Sequence, residues 1–328
     1  MKNRIVQLLI VVFALAACER DTEEQGPSLN DIYGEFAMVE SFEASRETVD
    51  FQSGESVNFT AQFSKRVNWE VHIIGKSSGA TKILSGLSDR IDGTSAKWNG
   101  TTTQLPMFKE GEECMAVLAV ENENFSDTIP TLTVTQTRPV DGYVVADFDE
   151  GLNAGADRFV QSGADMRFDT VFTPMSPQGS AYWEFSGTVD FVDDLGNIMI
   201  PKSAFIDSSF TLITNSDAVY INFFARKGPG SVNDIIVFQF MEDDDDSGAF
   251  EENPGSDDLY QYVIQGLTNN WQLYSVKYSE LEGDDPSGNG LKNPEKFTGV
   301  RILPIGLRES FEAYIDYIIM TENQPLVP

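Results

Sequence analysis

One histidine and two cysteines limit the chemistry open to this 328-residue sequence. His72 sits in Trp69-Glu70-Val71-His72-Ile73-Ile74, an alternating run that reads as a strand, so its imidazole reads first as a strand residue. Any Ser-His-Asp triad would have to use it, and a zinc site built on several histidines is impossible. Cys114 opens Cys114-Met115-Ala116-Val117-Leu118 and reads as a small buried apolar residue. Carboxylates are the abundant reactive group. With 52 Asp and Glu, a pair placed for glycoside hydrolysis stays open on counting alone.

Two acidic runs invite a metal reading. In Met241-Glu242-Asp243-Asp244-Asp245-Asp246-Ser247-Gly248, placing Gly248 at the glycine of an EF-hand loop puts Asp243, Asp245 and Ser247 at ligand positions. Pro254 then stands where the closing Glu belongs, so a solvated acidic hairpin loop is the simpler reading. Asp284-Asp285-Pro286-Ser287-Gly288-Asn289-Gly290 reads likewise as a turn-rich loop before a metal loop.

The chain carries 22 Lys and Arg against those 52 acids, a formal net charge of −30. Such a surface repels phosphate backbones and polyanionic polymers, which excludes nucleic acid as a partner and favours a neutral or cationic ligand. Its length is enough for two domains with their own cores.

At the amino terminus Lys2 and Arg4 precede the apolar run Ile5 to Ala14, which has the length of a signal-peptide core and is too short to span a bilayer. Leu15-Ala16-Ala17-Cys18 resembles the lipobox of bacterial lipoproteins. The resemblance implies cleavage after residue 17 and acylation of Cys18, giving a membrane attachment through lipid alone. The alternative is an ordinary signal peptide with Cys18 an incidental thiol. Residues 18–30 are polar, acidic and aperiodic, and read as a tether. Acids just after the lipidated cysteine also resemble the export signal of Bacteroidetes surface lipoproteins, which implies the outer membrane, facing outward.

From 31 to 139 the pattern is strands and turns. Ser56 to Phe63, Val67 to Ile74 and Met115 to Val120 alternate, with Gly, Asn, Asp and Ser clusters between them. This predicts a small antiparallel sandwich. Lys97-Trp98-Asn99-Gly100 followed by Phe108-Lys109-Glu110-Gly111 resembles bacterial immunoglobulin-like modules, with Trp69 and Trp98 as core residues. Pro139, Asp141 and Gly142 break the pattern, and a new strand starts at Tyr143. From 140 to 323 the sequence is again nearly all β, with strands expected at 182–185, 218–225, 235–241, 259–264, 271–278, 299–304 and 311–321. A short tail, 324–328, closes the chain.

Four runs in this second unit carry a further resemblance: Val145-Ala146-Asp147-Phe148-Asp149-Glu150-Gly151, Gly179 to Gly187, Asn270 to Val276, and Glu312-Ala313-Tyr314-Ile315-Asp316-Tyr317. Together they resemble the galactose-binding-like jelly roll of carbohydrate-binding modules. The expected fold is therefore all-β, an immunoglobulin-like β-sandwich followed by a C-terminal β-jelly roll. The resemblance implies a structural calcium tying first strand to last through Asp149 and Asp316, against the simpler reading of both as solvated acids. It also implies a sugar-binding concave face. Aromatic rings would meet the apolar side of pyranose rings, and planar polar groups would reach the hydroxyls. Strand alternation nominates Tyr182, Glu184, Asn222, Arg226 and Gln239 for that face, with Trp183 or Trp271 as stacking platform.

The assembled expectation resembles the surface glycan-binding lipoproteins that capture polysaccharide for a neighbouring hydrolase or outer-membrane uptake transporter, here with a neutral, glucan-type ligand. Two rivals stand beside it: a jelly-roll hydrolase or lyase, although the Glu-x-Asp-x-x-Glu run of laminarinase-like enzymes is absent, and a protein-binding adhesin or accessory lipoprotein.

Overall fold

A computed structural model describes residues 34–252 and 255–328. The expected leader 1–17, the acylation site Cys18, the tether up to residue 30 and Pro254 lie outside the described residues.

Seven strands share the first sheet: β1 (Met38–Ala44), β2 (Thr48–Asp50), β3 (Val57–Gly75), β4 (Thr81–Ile91), β5 (Lys97–Trp98), β6 (Glu113–Val120) and β7 (Phe125–Gln136). All pairings are antiparallel except β2 with β7. The sequence suggests two strands where β3 forms one of 19 residues. Its odd-numbered apolar side chains, from Val57 to Ile73, stay buried on one side, and both halves feed one core with Trp98, Phe108 and Leu118. A strand whose single face meets one core from both ends has to curl round it. Trp69 and Trp98 are buried as expected, and the Trp69 indole donates to Ser88 Oγ at 2.9 Å. Gly86 leaves room for that indole, since a Cβ there would lie 2.4 Å from Trp69 Cζ2. Cys114 is buried, and burial pushes its thiol well above its ordinary value. His72 pairs with Glu70 at 2.7 Å on the partly exposed side of β3.

Eleven strands form the second unit: β8 (Tyr143–Ala146), β9 (Asp157–Val160), β10 (Asp165–Phe172), β11 (Ala181–Asp194), β12 (Gly196–Pro201), β13 (Val219–Lys227), β14 (Ile235–Glu242), β15 (Asp258–Ile264), β16 (Gln272–Lys277), β17 (Glu282–Pro286) and β18 (Phe297–Glu322). The two strands expected at 299–304 and 311–321 are one 26-residue strand. Its first part pairs with β12 and β14 and its second with β11, β13 and β8. It thereby joins two leaves, β9-β12-β18-β14-β15-β17 and β10-β11-β18-β13-β16. The leaves face each other: Phe223 of β13 stacks on Phe238 of β14 with ring centroids 4.0 Å apart, within one core that also holds Trp183, Phe185 and Ile302. The architecture is an all-β, double-sheet jelly roll.

Two buried polar devices fix the joins. Glu112 accepts from the amide N–H groups of Ser77, Ser78 and Lys109 at 2.7–3.1 Å and from the hydroxyls of Ser77 and Ser78. A Cβ on Gly75 would come within 2.6 Å of this carboxylate, so the turn closes only because Gly75 has none. Asn222, fully buried, donates to Thr321 Oγ1 at 3.0 Å and accepts from the Leu326 amide at 3.0 Å. It pins residues 324–328 back onto β13 and β18. The pinned tail touches the first unit, where the Thr102 amide donates to Pro328 O and Arg138 to Val327 O.

Burial pushes the Glu112 carboxyl up, but the N–H and O–H donors outweigh burial and hold it below its usual 4.5. A depressed folded-state value stabilises the fold above pH 4.5 and is lost as pH falls through it. Glu112→Gln is therefore expected to cost about 2 kcal/mol at pH 7, with the gap to wild type closing below pH 4.5 in denaturant titrations. Asn222→Ala is expected to free the tail at a cost of about 2 kcal/mol, read as faster hydrogen exchange at Leu326 with the β11 amides unchanged.

Candidate functional site

The outward side of the β10-β11-β18-β13-β16 leaf gathers most of the nominated residues. Alternation along β11 sends Trp183 and Phe185 into the core and leaves Tyr182, Glu184 and Ser186 outside. Register then fixes their neighbours. Glu184 lies opposite Tyr314, Ser186 opposite Glu312, and Arg226 opposite Tyr314 from the other flank. Trp271, just before β16, completes the group.

At its centre is Arg226. The guanidinium carbon lies 4.1 Å from the Tyr314 ring centre, 5.1 Å from Trp271 and 5.8 Å from Tyr182. The three rings meet each other at steep angles, Tyr182 and Tyr314 at 5.0 Å and Tyr182 and Trp271 at 5.3 Å. Among the described residues Arg226 forms no salt bridge, and its Nε–H is buried without a hydrogen-bond partner. Ring faces carry negative quadrupole density, so they hold a cation while leaving it formally unneutralised. Two carboxylates flank the cluster. Glu184 accepts from Ser186 Oγ at 2.5 Å, and Glu312 accepts from the Tyr314 hydroxyl and the Gly230 amide. Burial raises the Tyr182 phenol, and the Arg226 charge opposes that rise. For Tyr314 burial and the Glu312 carboxylate both push upward. Both hydroxyls therefore stay protonated and able to donate.

Tyr182, Glu184, Arg226 and Trp271 thus come together, and three other nominations go elsewhere. Trp183 is in the core, its ring 5.8 Å from Phe148, because the alternation that turns Tyr182 outward turns its neighbour inward; Tyr182 itself is covered by the residues around it. Asn222 is on the same outward side as Arg226 but is covered by the tail it pins, so it reaches no ligand. Gln239 belongs to the other leaf. There it donates to Asp284 Oδ2 at 2.6 Å and accepts from Arg301 Nε at 2.5 Å, and Arg301 pairs with Glu252. Tyr314 and Glu312 were not nominated from sequence, although they alternate with buried Phe311, Ala313 and Ile315 and so carried the same signal as Tyr182 and Glu184.

Asp149 and Asp316 meet at the loop 176–181. Asp149 Oδ1 accepts from the Ser180 and Ala181 amides, and Asp316 Oδ2 from the Gln178 amide at 3.0 Å. Asp316 is fully buried, its Oδ1 has no partner, and burial raises its carboxyl well above the usual range. The positive charge acting on this pair is Lys109 of the first unit, whose ammonium donates to Ser176 O at 2.7 Å. Burial lowers that ammonium to about 8, against the pull of Asp316 and Asp149. Among the described residues no third carboxylate joins the pair closely enough to share one ion. Lys109 and Asp149 also line a cleft of ≈ 500 Å³ between the two units.

Neither a protein-family model nor a curated protein matches the sequence. Among solved structures, the chain is similar to a family 11 carbohydrate-binding module from Clostridium thermocellum in complex with a β-1,3-1,4-mixed-linked tetrasaccharide. That likeness has 19% identity over 56% of this chain and 97% of that one, with a TM-score of 0.39. A family 30 module of a Clostridium thermocellum cellulosomal cellulase is similar at 12% identity over 56% and 98% of the two chains, with a TM-score of 0.38. A family 22 xylan-binding domain from Paenibacillus barcinonensis is similar at 13% identity over 57% and 98%, with a TM-score of 0.34.

Proposed function

We propose that the chain is a non-catalytic glycan-binding protein whose ligand, a neutral polysaccharide, docks on the outward side of the β10-β11-β18-β13-β16 leaf. The observation that carries this reading is Arg226 held over three aromatic rings without a carboxylate partner. The half-buried Trp271 offers an apolar ring to the C–H side of a pyranose, while Tyr182 and Tyr314 are buried and hold Arg226. The planar guanidinium offers fixed N–H donors, and Glu184 and Glu312 offer acceptors for hydroxyls. A net charge of −30 opposes a polyanionic ligand. An acylated Cys18 and its acidic tether would hold this face outside the cell, where captured polymer passes to a neighbouring hydrolase or uptake transporter. One shallow site of this kind gives affinities of about −4 to −8 kcal/mol, which repeated sugar units on a polymer raise through avidity.

The test is retention of the purified chain on gels containing neutral glucans, with alginate as the polyanionic control. Trp271→Ala and Arg226→Ala are each expected to weaken retention roughly tenfold, about 1.4 kcal/mol. Arg226→Lys is expected to recover little, because it restores the charge and not the planar fork. Unchanged retention in both alanine variants, with unchanged circular dichroism, overturns the site. Reducing ends released from the same glucans overturn the non-catalytic reading in favour of a hydrolase that uses the carboxylates beside Arg226.

A further inference from the structure

Far from Arg226 in the sheet order, the strands β14, β15 and β17 of the other leaf end in two acidic loops. β14 finishes at Glu242 and β15 begins at Asp258, so register alone brings these two acids to the same end of the hairpin. Asp244, two residues past Glu242, joins them. One carboxylate oxygen from each lies within 4.8 Å of the other two. Glu242 and Asp258 are fully buried and Asp244 is half-buried. No lysine or arginine pairs with any of the three among the described residues. Lys296 reaches Asp246 instead, and Lys292 donates to Ser279 O.

Three carboxylates packed together, two of them fully buried, repel one another, and a second observation shows what the arrangement lacks. Glu242 Oε1 accepts from the Asn293 amide at 2.9 Å, but Glu242 Oε2 is buried with no hydrogen-bond partner. The Tyr278 hydroxyl, buried beside it, acts on this carboxyl but not at hydrogen-bond geometry. A buried carboxylate oxygen without a well-placed donor is unfavourable unless the group takes a proton or meets a cation. Burial raises the Glu242 carboxyl to about 8, despite the opposing contacts from Tyr278 and Asn293.

The neighbouring acids do not share this need. Asp243 accepts from the Ser247 and Gly248 amides, and Asp257 from those of Asp244 and Glu251. Those carboxylates build the loop. Of the inner three, Asp258 accepts from the Gly288 and Gly290 amides and Asp244 from the amide of Asp258. Glu242 thus carries the one oxygen of the three left without a hydrogen bond among the described residues, and further oxygen donors stand around it. The Asn289 and Asn293 side-chain amides both rest on Asp244 Oδ1, at 2.6 and 3.3 Å. Turning the Asn293 amide over presents its oxygen instead, while Asn289 is held by the Leu291 amide on its own oxygen.

We propose that Glu242, Asp244 and Asp258 form a calcium site that clamps the loop between β14 and β15 to the loop after β17. The donor set is all oxygen, with no nitrogen or sulfur, as a hard cation requires, and three carboxylates with amide and carbonyl oxygens around them suit the higher coordination number of calcium better than the octahedron of magnesium. The site is separate from Asp149 and Asp316, and it does not depend on the glycan reading.

The test uses the purified chain stripped with chelator and titrated with calcium chloride, followed by calorimetry and thermal unfolding. One tight calcium is expected, with a rise in Tm of about 5 °C or more at roughly a hundred times Kd. Glu242→Gln and Asp258→Asn are each expected to reduce that rise by more than half. Glu242→Gln cannot take on the charge that burial disfavours, so its calcium-free Tm should equal or exceed that of the stripped wild type, which shows the variant is folded. Asp149→Asn and Asp243→Asn are expected to keep the response. Absence of a calcium-dependent rise in wild type overturns the proposal. So does a full response in Glu242→Gln, or its loss in Asp149→Asn with retention in Asp258→Asn.

Discussion

The second unit depends on one strand serving two leaves. β18 is far longer than the five or six residues usual for a strand, and a sheet twists too much for one straight strand to stay paired over that length. Its inward side chains show how the change of leaf is made. Val300 and Ile302 face the core at even positions, Phe311, Ala313 and Ile315 at odd ones, and Ile318 and Met320 at even ones again. Each switch coincides with a non-glycine residue at positive φ, Glu309 at 69° and Tyr317 at 46°, and with a shift in register against β11 or β13. At the second switch the extra residue lies in β18, and at the first it lies in the facing β11; such bulges bend the paired strands and change which side chains face the core. The second bulge leaves both Asp316 and Tyr317 off the core side, which is why Asp316 can meet Asp149 at the loop 176–181.

That constraint explains how much of the structure was legible in the sequence. Within a stretch free of bulges, period two sorts the faces: Tyr182 and Glu184 lie outward with Phe185 inward, and Arg226 outward with Phe223 inward. Trp183 shares the inward face of Phe185, so its nomination as a stacking platform went against the alternation. Across a bulge it fails, so the continuous β18 looked like two strands with a gap near residues 305–310. Alternation also says nothing about which leaf a strand joins or what lies over its outward side. Gln239 alternates as Arg226 does, yet its strand sits in the other leaf. Asn222 shares a face with Arg226, yet five residues at the end of the chain cover it. Both errors come from long-range packing, which local periodicity does not encode. Tyr314 and Glu312 were missed for a different reason, since their run was read for what it implied about the fold and not for its outward side chains.

The acids of this chain divide by their surroundings. Glu112 is buried among five donors and stays ionised without a metal, its charge spread over N–H and O–H groups that have no other task. Glu242 is buried with one oxygen satisfied and one orphaned, close to two further carboxylates. Burial alone does not separate the two cases, because both side chains are nearly inaccessible. The count of donors against lone pairs does. By the same count Arg226 stands out among the basic residues, since it is held by rings where the others shown in contact with acids are held by carboxylates.

The join between the units has a consequence for the ligand face. Phe224, Tyr317, Ile319 and the tail residue Leu326 form a small apolar cluster outside the main core, and Leu105 and Met107 of the first unit pack against it. Trp271 and Leu273 pack against the same cluster. Trp271 therefore belongs at once to the Arg226 group and to the seam between the units. A shift of the first unit or release of the tail changes what supports the indole, and the indole in turn supports Arg226 through their 5.1 Å contact. The face is thus more than a property of one leaf. Part of its outward side is sealed by the tail and the first unit, and that seal borders the part that holds Arg226 and Trp271.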